Sequence, residues 1–135
     1  MEKEFVKYTE ALALKELGFN EPCFGFHSKI HGLMMVKTSG SSSLYKDAGE
    51  CLSPTYSQAF RWFEDNHQLY PAVVTDQTSY PKYAFEIASF FGNPKDLTEK
   101  EWGWNEMVLS RSLYRTKTEA ELECLKKLIE IINQK

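Results

Sequence analysis

The residues of this chain best suited to chemistry begin with Cys23, His27 and His31, which recur every four positions. Cysteine thiolate and imidazole are the usual zinc ligands, and on a helix this spacing would set all three on one face. The surrounding residues read as strand and turn instead. In a strand Cys23 and His27 share a face while His31 falls in the connection, so the pattern predicts a buried cysteine with two surface imidazoles and no metal centre. Gly40-Ser-Ser-Ser43 offers backbone amides for a phosphate, but the G-x-x-x-x-G-K-[ST] pattern is missing and no helix starts directly after it. That stretch reads as a flexible loop.

Nucleophiles and acids are no more organised. There is no G-x-S-x-G elbow and no Cys signature of a protease family. The acids Asp47, Glu50, Glu64, Asp65, Asp76, Asp96, Glu99, Glu101 and Glu106 fit no calcium-loop pattern. Glu86 lies within an otherwise apolar strand, where a solvent-facing position between Ala84 and Ala88 accounts for it. No catalytic residue, cofactor site or metal site is assigned, and the chain reads as a non-enzymatic protein.

Aromatic residues give the strongest functional signal. They make up 14% of the chain, enough to expect rings at the surface as well as in the core. Trp102 and Trp104 flank Gly103 in the polar segment EKEWGWNE, with Arg111 and Arg115 following. Tryptophan and arginine dominate protein-binding hot spots, and the same rings can stack on nucleic-acid bases. Trp102, Trp104, Arg111 and Arg115 are therefore the expected partner-binding residues; both indoles closing one end of the core is the competing expectation. A protein partner is the first reading. Nucleic-acid or nucleotide binding by aromatic stacking is the second, and a small-molecule enzyme whose site is assembled across the fold is the third.

Charge weighs against the second reading. The net charge is −3, with seven basic and nine acidic residues in 1–67 and nine and ten in 68–135. A nucleic-acid binder normally carries a basic excess, because phosphate neutralisation dominates its affinity. The three cysteines form no C-x-x-C pair, which fits reduced thiols in a cytoplasm. No signal-like or membrane-spanning apolar run occurs, so a soluble cytoplasmic protein with no membrane partner is expected.

The elements that must position these residues follow from periodicity. At 135 residues the chain is expected to form one domain, 1–135, burying roughly two-thirds of its unfolded surface. Tyr8 to Leu17 is an amphipathic helix, with Tyr8, Ala11, Leu14 and Leu17 inward and Glu10, Lys15 and Glu16 outward. Gly18 stops it in a Schellman cap, with Phe19 against Leu14. Cys23 to Ser28 and Leu33 to Lys37 form a hairpin, and Thr38 to Leu52 reads as a long loop. Ser53 and Pro54 open a second helix as N-cap and first turn. Tyr56, Ala59, Phe60 and Phe63 line its inner face, and Trp62 sits at the margin.

Tyr70 to Thr75 and Lys82 to Phe91 form a second hairpin, Thr98-x-x-Glu101 caps a single helical turn, and a fifth strand lies within Gly103 to Tyr114. The last helix, Thr118 to Ile132, starts at the capping box Thr118-x-x-Glu121. It buries Leu122, Leu125, Leu128, Ile129 and Ile132, and pairs Glu123 with Lys127 and Lys126 with Glu130. The order α-β-β-α-β-β-(β)-α predicts an α+β fold, an antiparallel sheet of four to five strands with three helices mainly on one face. An uncovered sheet face or edge would leave homo-oligomer formation open.

Three blocks, EFVKYTEALALKELGFNEPCF, SPTYSQAFRWF and KTEAELECLKKLIEII, together resemble a group of small phage- and prophage-associated proteins of Bacteroidetes type. The resemblance covers about half of the chain, namely the three helices and the first strand. It implies a mobile-element origin and a cytoplasmic protein. The group has no established activity, so the resemblance transfers no catalytic or binding residue.

Overall fold

In the computed structural model the described residues are 2–28, 32–40, 51–76, 82–91, 103–110 and 112–134. They form three helices and six strands: α1 (Tyr8–Glu16), β1 (Cys23–Ser28), β2 (Gly32–Gly40), β3 (Cys51–Ser53), α2 (Tyr56–His67), β4 (Leu69–Asp76), β5 (Lys82–Phe91), β6 (Gly103–Leu109) and α3 (Lys117–Asn133). The fold is α+β. In place of one sheet of four to five strands there are two antiparallel sheets of three strands, ordered β2-β1-β3 and β4-β5-β6. The chain groups into two compact units, Met1–Ala59 and Phe60–Lys135.

In the first unit, α1 stops as its sequence demands. Gly18 takes φ +103°, its N–H donates to the Lys15 carbonyl at 3.1 Å, and the Phe19 N–H donates to the Leu14 carbonyl at 2.9 Å. Those two bonds are the Schellman pair. The helix is rotated from the expected face: Ala11 and Leu14 are buried, but so is Glu10, at 7% exposure, while Tyr8 stands out.

Strand β1 is central. His27 lies opposite Leu33 of β2 and Cys51 of β3, and Phe26 lies opposite Met34 and Leu52. The stretch expected to be one loop over 38–52 therefore contributes strand at both ends, since β2 runs on to Gly40 and β3 begins at Cys51. Short β3 is held by its neighbours. Val6 N–H donates to the Pro54 carbonyl at 2.9 Å, and Phe5 bridges to Thr55, so the segment before α1 lies alongside the end of β3.

Ser53 is not a helix cap. It is buried, and its hydroxyl donates to the Val6 carbonyl at 2.7 Å. The helix starts two residues later, with Thr55 Oγ1 accepting from the Gln58 N–H at 3.2 Å. Thr55-x-x-Gln58 carries the capping-box spacing that Ser53-Pro54 lacks. Along α2 the residues Tyr56, Ala59, Trp62 and Phe63 are buried, so Trp62 belongs to the core and not to its margin.

The second unit is a meander. β4 pairs with β5 from Leu69↔Ser89 to Asp76↔Lys82, and β6 pairs on the other side of β5. Pro71 lacks an N–H to give a second neighbour, which suits a strand that ends the sheet. Beyond β6 the chain still tracks β5: Ser110 N–H donates to the Phe85 carbonyl at 2.9 Å, and Tyr83 and Tyr114 exchange backbone bonds of 2.8 and 2.7 Å. The rings of Phe85 and Tyr114 stack at 6.3 Å.

Helix α3 packs on β5 and β4. It begins two residues earlier than expected, at N-cap Thr116, whose hydroxyl accepts from the Glu119 N–H at 3.1 Å. Thr116-x-x-Glu119 and Thr118-x-x-Glu121 are both capping boxes in sequence; the earlier one wins by adding the Ala120 N–H to Thr116 carbonyl bond at 3.2 Å. Its buried face is Ala120, Cys124, Leu125, Leu128 and Ile129, with Leu122 and Ile132 half-buried. The outer face pairs the expected four residues differently. Lys126 meets Glu123 and Lys127 meets Glu130, each at 3.3 Å; pairs this exposed contribute only tenths of a kcal/mol. The single turn expected around Thr98-x-x-Glu101 lies outside the described residues.

Candidate functional site

Trp102 and Arg111 of the expected partner-binding set lie outside the described residues. Trp104 belongs to β6 and pairs with Phe90 near one end of β5. Arg115 is exposed and directly follows Tyr114, which bridges Tyr83 near the other end of that strand. Seven residue steps of a strand cover roughly 23 Å, so the backbones at Trp104 and Arg115 are not brought together.

The first unit presents two other features. Its sheet is inverted relative to simple hydrophobicity: Cys23, Gly25 and His27 face inward, while Phe24 is 55% exposed and Phe26 half-buried on the opposite face. Met34, opposite Phe26, is 37% exposed. Gly25 makes the inversion workable. A Cβ there would stand 2.8 Å from Phe5 Cδ1 and 2.9 Å from the Ser53 carbonyl oxygen, so the Phe5 ring takes the space a side chain would need. Phe24, Phe26 and Met34 then form an apolar strip on the side of the sheet where polar residues are the norm.

The second feature centres on the Val6 carbonyl, which accepts from both Ser53 Oγ and His27 Nε2, the latter at 2.8 Å. A carbonyl oxygen can only accept, so His27 carries its proton on Nε2. His27 is 7% exposed and not the surface imidazole expected from sequence. The Tyr8 ring meets it edge-on at 5.6 Å. An open cavity of about 330 Å³ lies against this group, with Lys3, Lys7, Phe5 and Leu33 also in its wall. Sequence held one cue to this place. Lys7 occupies the N-cap of α1, where Ser, Thr, Asp or Asn would ordinarily stand, and makes no side-chain cap bond.

The thiols are unsuited to nucleophilic or metal chemistry. Burial, reinforced by the Glu21 charge, pushes Cys23 up to about 12, and burial with the nearby Glu121 charge does the same to Cys124. Cys51 is also raised by burial, partly offset by Lys15. All three are buried thiols at neutral pH. Cys23 Sγ donates to the Glu21 carbonyl at 3.3 Å. His31 lies outside the described residues, and among the described residues no three metal-ligating side chains cluster.

These features define an α+β protein of two three-stranded antiparallel units, with an apolar strip and a cation-rimmed cavity on the first. No family model matches the chain, and no curated protein or solved structure is significantly similar to it. Among the described residues, no helix is long and apolar enough to cross a membrane.

Proposed function

We propose that this chain is a non-enzymatic interaction module of the phage- or prophage-associated kind, acting in the cytoplasm by binding a protein partner. The observation that carries the reading is the Phe24, Phe26 and Met34 strip. Large apolar side chains on the outer face of an antiparallel sheet lose nothing by being covered and gain about 25 cal/mol for each Å² removed from water. Phe24 is more than half exposed, so a partner would bury most of its ring. The segment of Trp102 and Trp104, with Arg111 and Arg115, is a second contact region in the same reading, resting on residue type alone.

The test compares wild type with Phe24→Ser, Met34→Ser and the double change, as bait in lysate of a native host. Thermal unfolding should change by only a few degrees, because Phe24 is more than half exposed and Met34 more than a third, while a specific captured protein is lost in the double variant. Capture of the same proteins by wild type and double variant would place the partner surface elsewhere, and Trp102→Ala with Trp104→Ala then tests the second region. Nucleic-acid binding predicts a steep fall of affinity with salt; protein capture that survives nuclease treatment and moderate salt separates the two.

A further inference from the structure

Among the described residues four strands end a sheet, namely β2, β3, β4 and β6, and three of them are blunted. β3 has three residues, and Thr55 just beyond it is already bridged to Phe5. β2 and β6 each pair with an interrupted register. Short strands and bulges are the usual devices that stop an open edge from recruiting another strand. β4 has neither. It pairs with β5 without a break from Leu69↔Ser89 to Asp76↔Lys82 and carries no charged side chain from Leu69 to Thr75. We infer that the free edge of β4 is a self-association site, where a second copy of this chain adds its own β4 antiparallel to make one sheet of six strands.

The direction of the backbone groups defines that edge. Tyr83 exchanges both backbone bonds with Tyr114, and the Phe85 carbonyl accepts from the Ser110 N–H. Odd-numbered residues of β5 therefore turn their backbone groups away from β4, and even-numbered ones turn theirs toward it. The hydrogen-bonded pairs of the β4–β5 ladder are then Tyr70↔Ala88, Ala72↔Glu86, Val74↔Ala84 and Asp76↔Lys82. Pro71, Val73 and Thr75 aim their backbone groups out of the sheet. The proline agrees with this phase, since in a hydrogen-bonded pair its missing N–H would break the ladder. Among the described residues no strand lies beyond β4, and no turn or loop bond takes the N–H or C=O of Val73 or Thr75. The side chains of Ala72, Val74 and Thr75 are exposed.

Pro71 also sets the register. Pairing about a two-fold axis at Val74 places Val73 against the partner's Thr75, and Thr75 against the partner's Val73, which closes four backbone bonds. Pro71 stays outside that stretch. An axis at Val73 or Ala72 brings Pro71 inside it, where its missing N–H strands a carbonyl of the other copy. At the axis the two Val74 side chains, each 39% exposed, form a non-hydrogen-bonded cross-strand pair, the kind in which side chains stand closest. Asp76, the one charged residue of β4, falls opposite the partner's Ala72, so the two Asp76 backbones are roughly 13 Å apart. A second copy thus meets this edge with matched donors and acceptors and no opposed charges. The contact is small, as in weak, transient interfaces, and should form between roughly 10 µM and 1 mM protein.

Sedimentation equilibrium of the full chain over that range reads the dimer, and cross-linking reads the register. Wild type should pass from monomer to dimer. Val74→Lys sets two ammonium groups opposite each other and should weaken association at least about ten-fold, with the far-UV circular dichroism unchanged. Under mild oxidant, Val74→Cys should give a disulfide-linked dimer at least about ten-fold faster than Ala72→Cys. The Cα atoms at Val74 would lie about 4.5 Å apart, within disulfide reach, whereas those at Ala72 would be roughly 13 Å apart. The native cysteines are buried and stay out of this reaction. A wild type that is monomeric up to about 1 mM, a Val74→Lys variant that associates as tightly as wild type, or equal cross-linking at Ala72 and Val74 would each overturn the inference. None of these outcomes touches Phe24 or Met34, so failure here leaves the partner reading standing.

Discussion

The two units have the same inventory of three antiparallel strands and reach a stable interior by different means. In the second, consecutive strands are neighbours and a long helix packs on β5 and β4, and Phe63, Leu69, Ile87, Leu125 and Leu128 are all buried. In the first, the earliest strand is central, and β3 must return to its far side. That unit relies on close backbone approach. Phe5 sits over Gly25, and a single carbonyl, that of Val6, collects two side-chain hydrogen bonds. Apolar interiors tolerate repacking, whereas convergent polar contacts tolerate very little.

Thiol labelling gives the largest effect with which to test this contrast, since buried cysteines report on each unit, Cys23 and Cys51 on the first and Cys124 on the second. With Cys23 and Cys124 held near 12 against an ordinary 9.0, native-state modification at pH 8 should run roughly a thousand-fold slower than in denaturant. Along a urea series Cys23 should become reactive before Cys124, because among the described residues the first unit buries fewer large apolar side chains than the second. Simultaneous exposure would end the distinction. The sign with pH also follows. A thiol raised on folding contributes its stability fully below the unfolded value, and that contribution is lost as pH rises from about 9 through 12, so the protein should weaken in alkali.

Leu125→Ala measures the apolar interior directly. Leu125 is fully buried in α3, and truncation should cost about 2–5 kcal/mol in a urea melt. Gly25→Ala measures the other strategy. One added methyl must displace the Phe5 ring or the Ser53 carbonyl, costing about 1–3 kcal/mol. The same atom is tolerated in β5, where Ala84 and Ala88 already stand at half-buried positions. A neutral Gly25→Ala would show that Phe5 swings aside freely and that the first unit is no more constrained than the second.

The same contrast decides what could be read from sequence. The meander is local, and Lys82 to Phe91 announces itself by alternation and length. Gly18 announces the end of α1 because only a left-handed residue completes that cap. β3 has three residues and owes its existence to pairing with β1 and to Val6, contacts that leave no periodic trace. Hydrophobicity points Phe24 inward, yet the deciding residue is Gly25, whose missing side chain makes room for Phe5. His27 is legible only as an imidazole; its burial depends on a carbonyl that lies 21 residues away. At α3 two overlapping capping boxes differ by two residues, a choice settled by the bond from Ala120.

The smallest effect lies on α2, where Glu64 is raised by burial first and by Asp65 second, against a lowering contribution from Arg61. A carboxyl raised on folding contributes stability below its ordinary value of 4.5, and that contribution is lost as pH climbs through the folded value. At neutral pH the ionised group is therefore a slight liability to the second unit. Glu64→Gln should raise Tm by about one degree at pH 7, the shift being small because solvent screens a side chain this accessible. Below about pH 4 the gain should vanish, since both states of the wild type are then protonated. A gain of the same size at both pH values would assign the effect to packing on α2 rather than to charge.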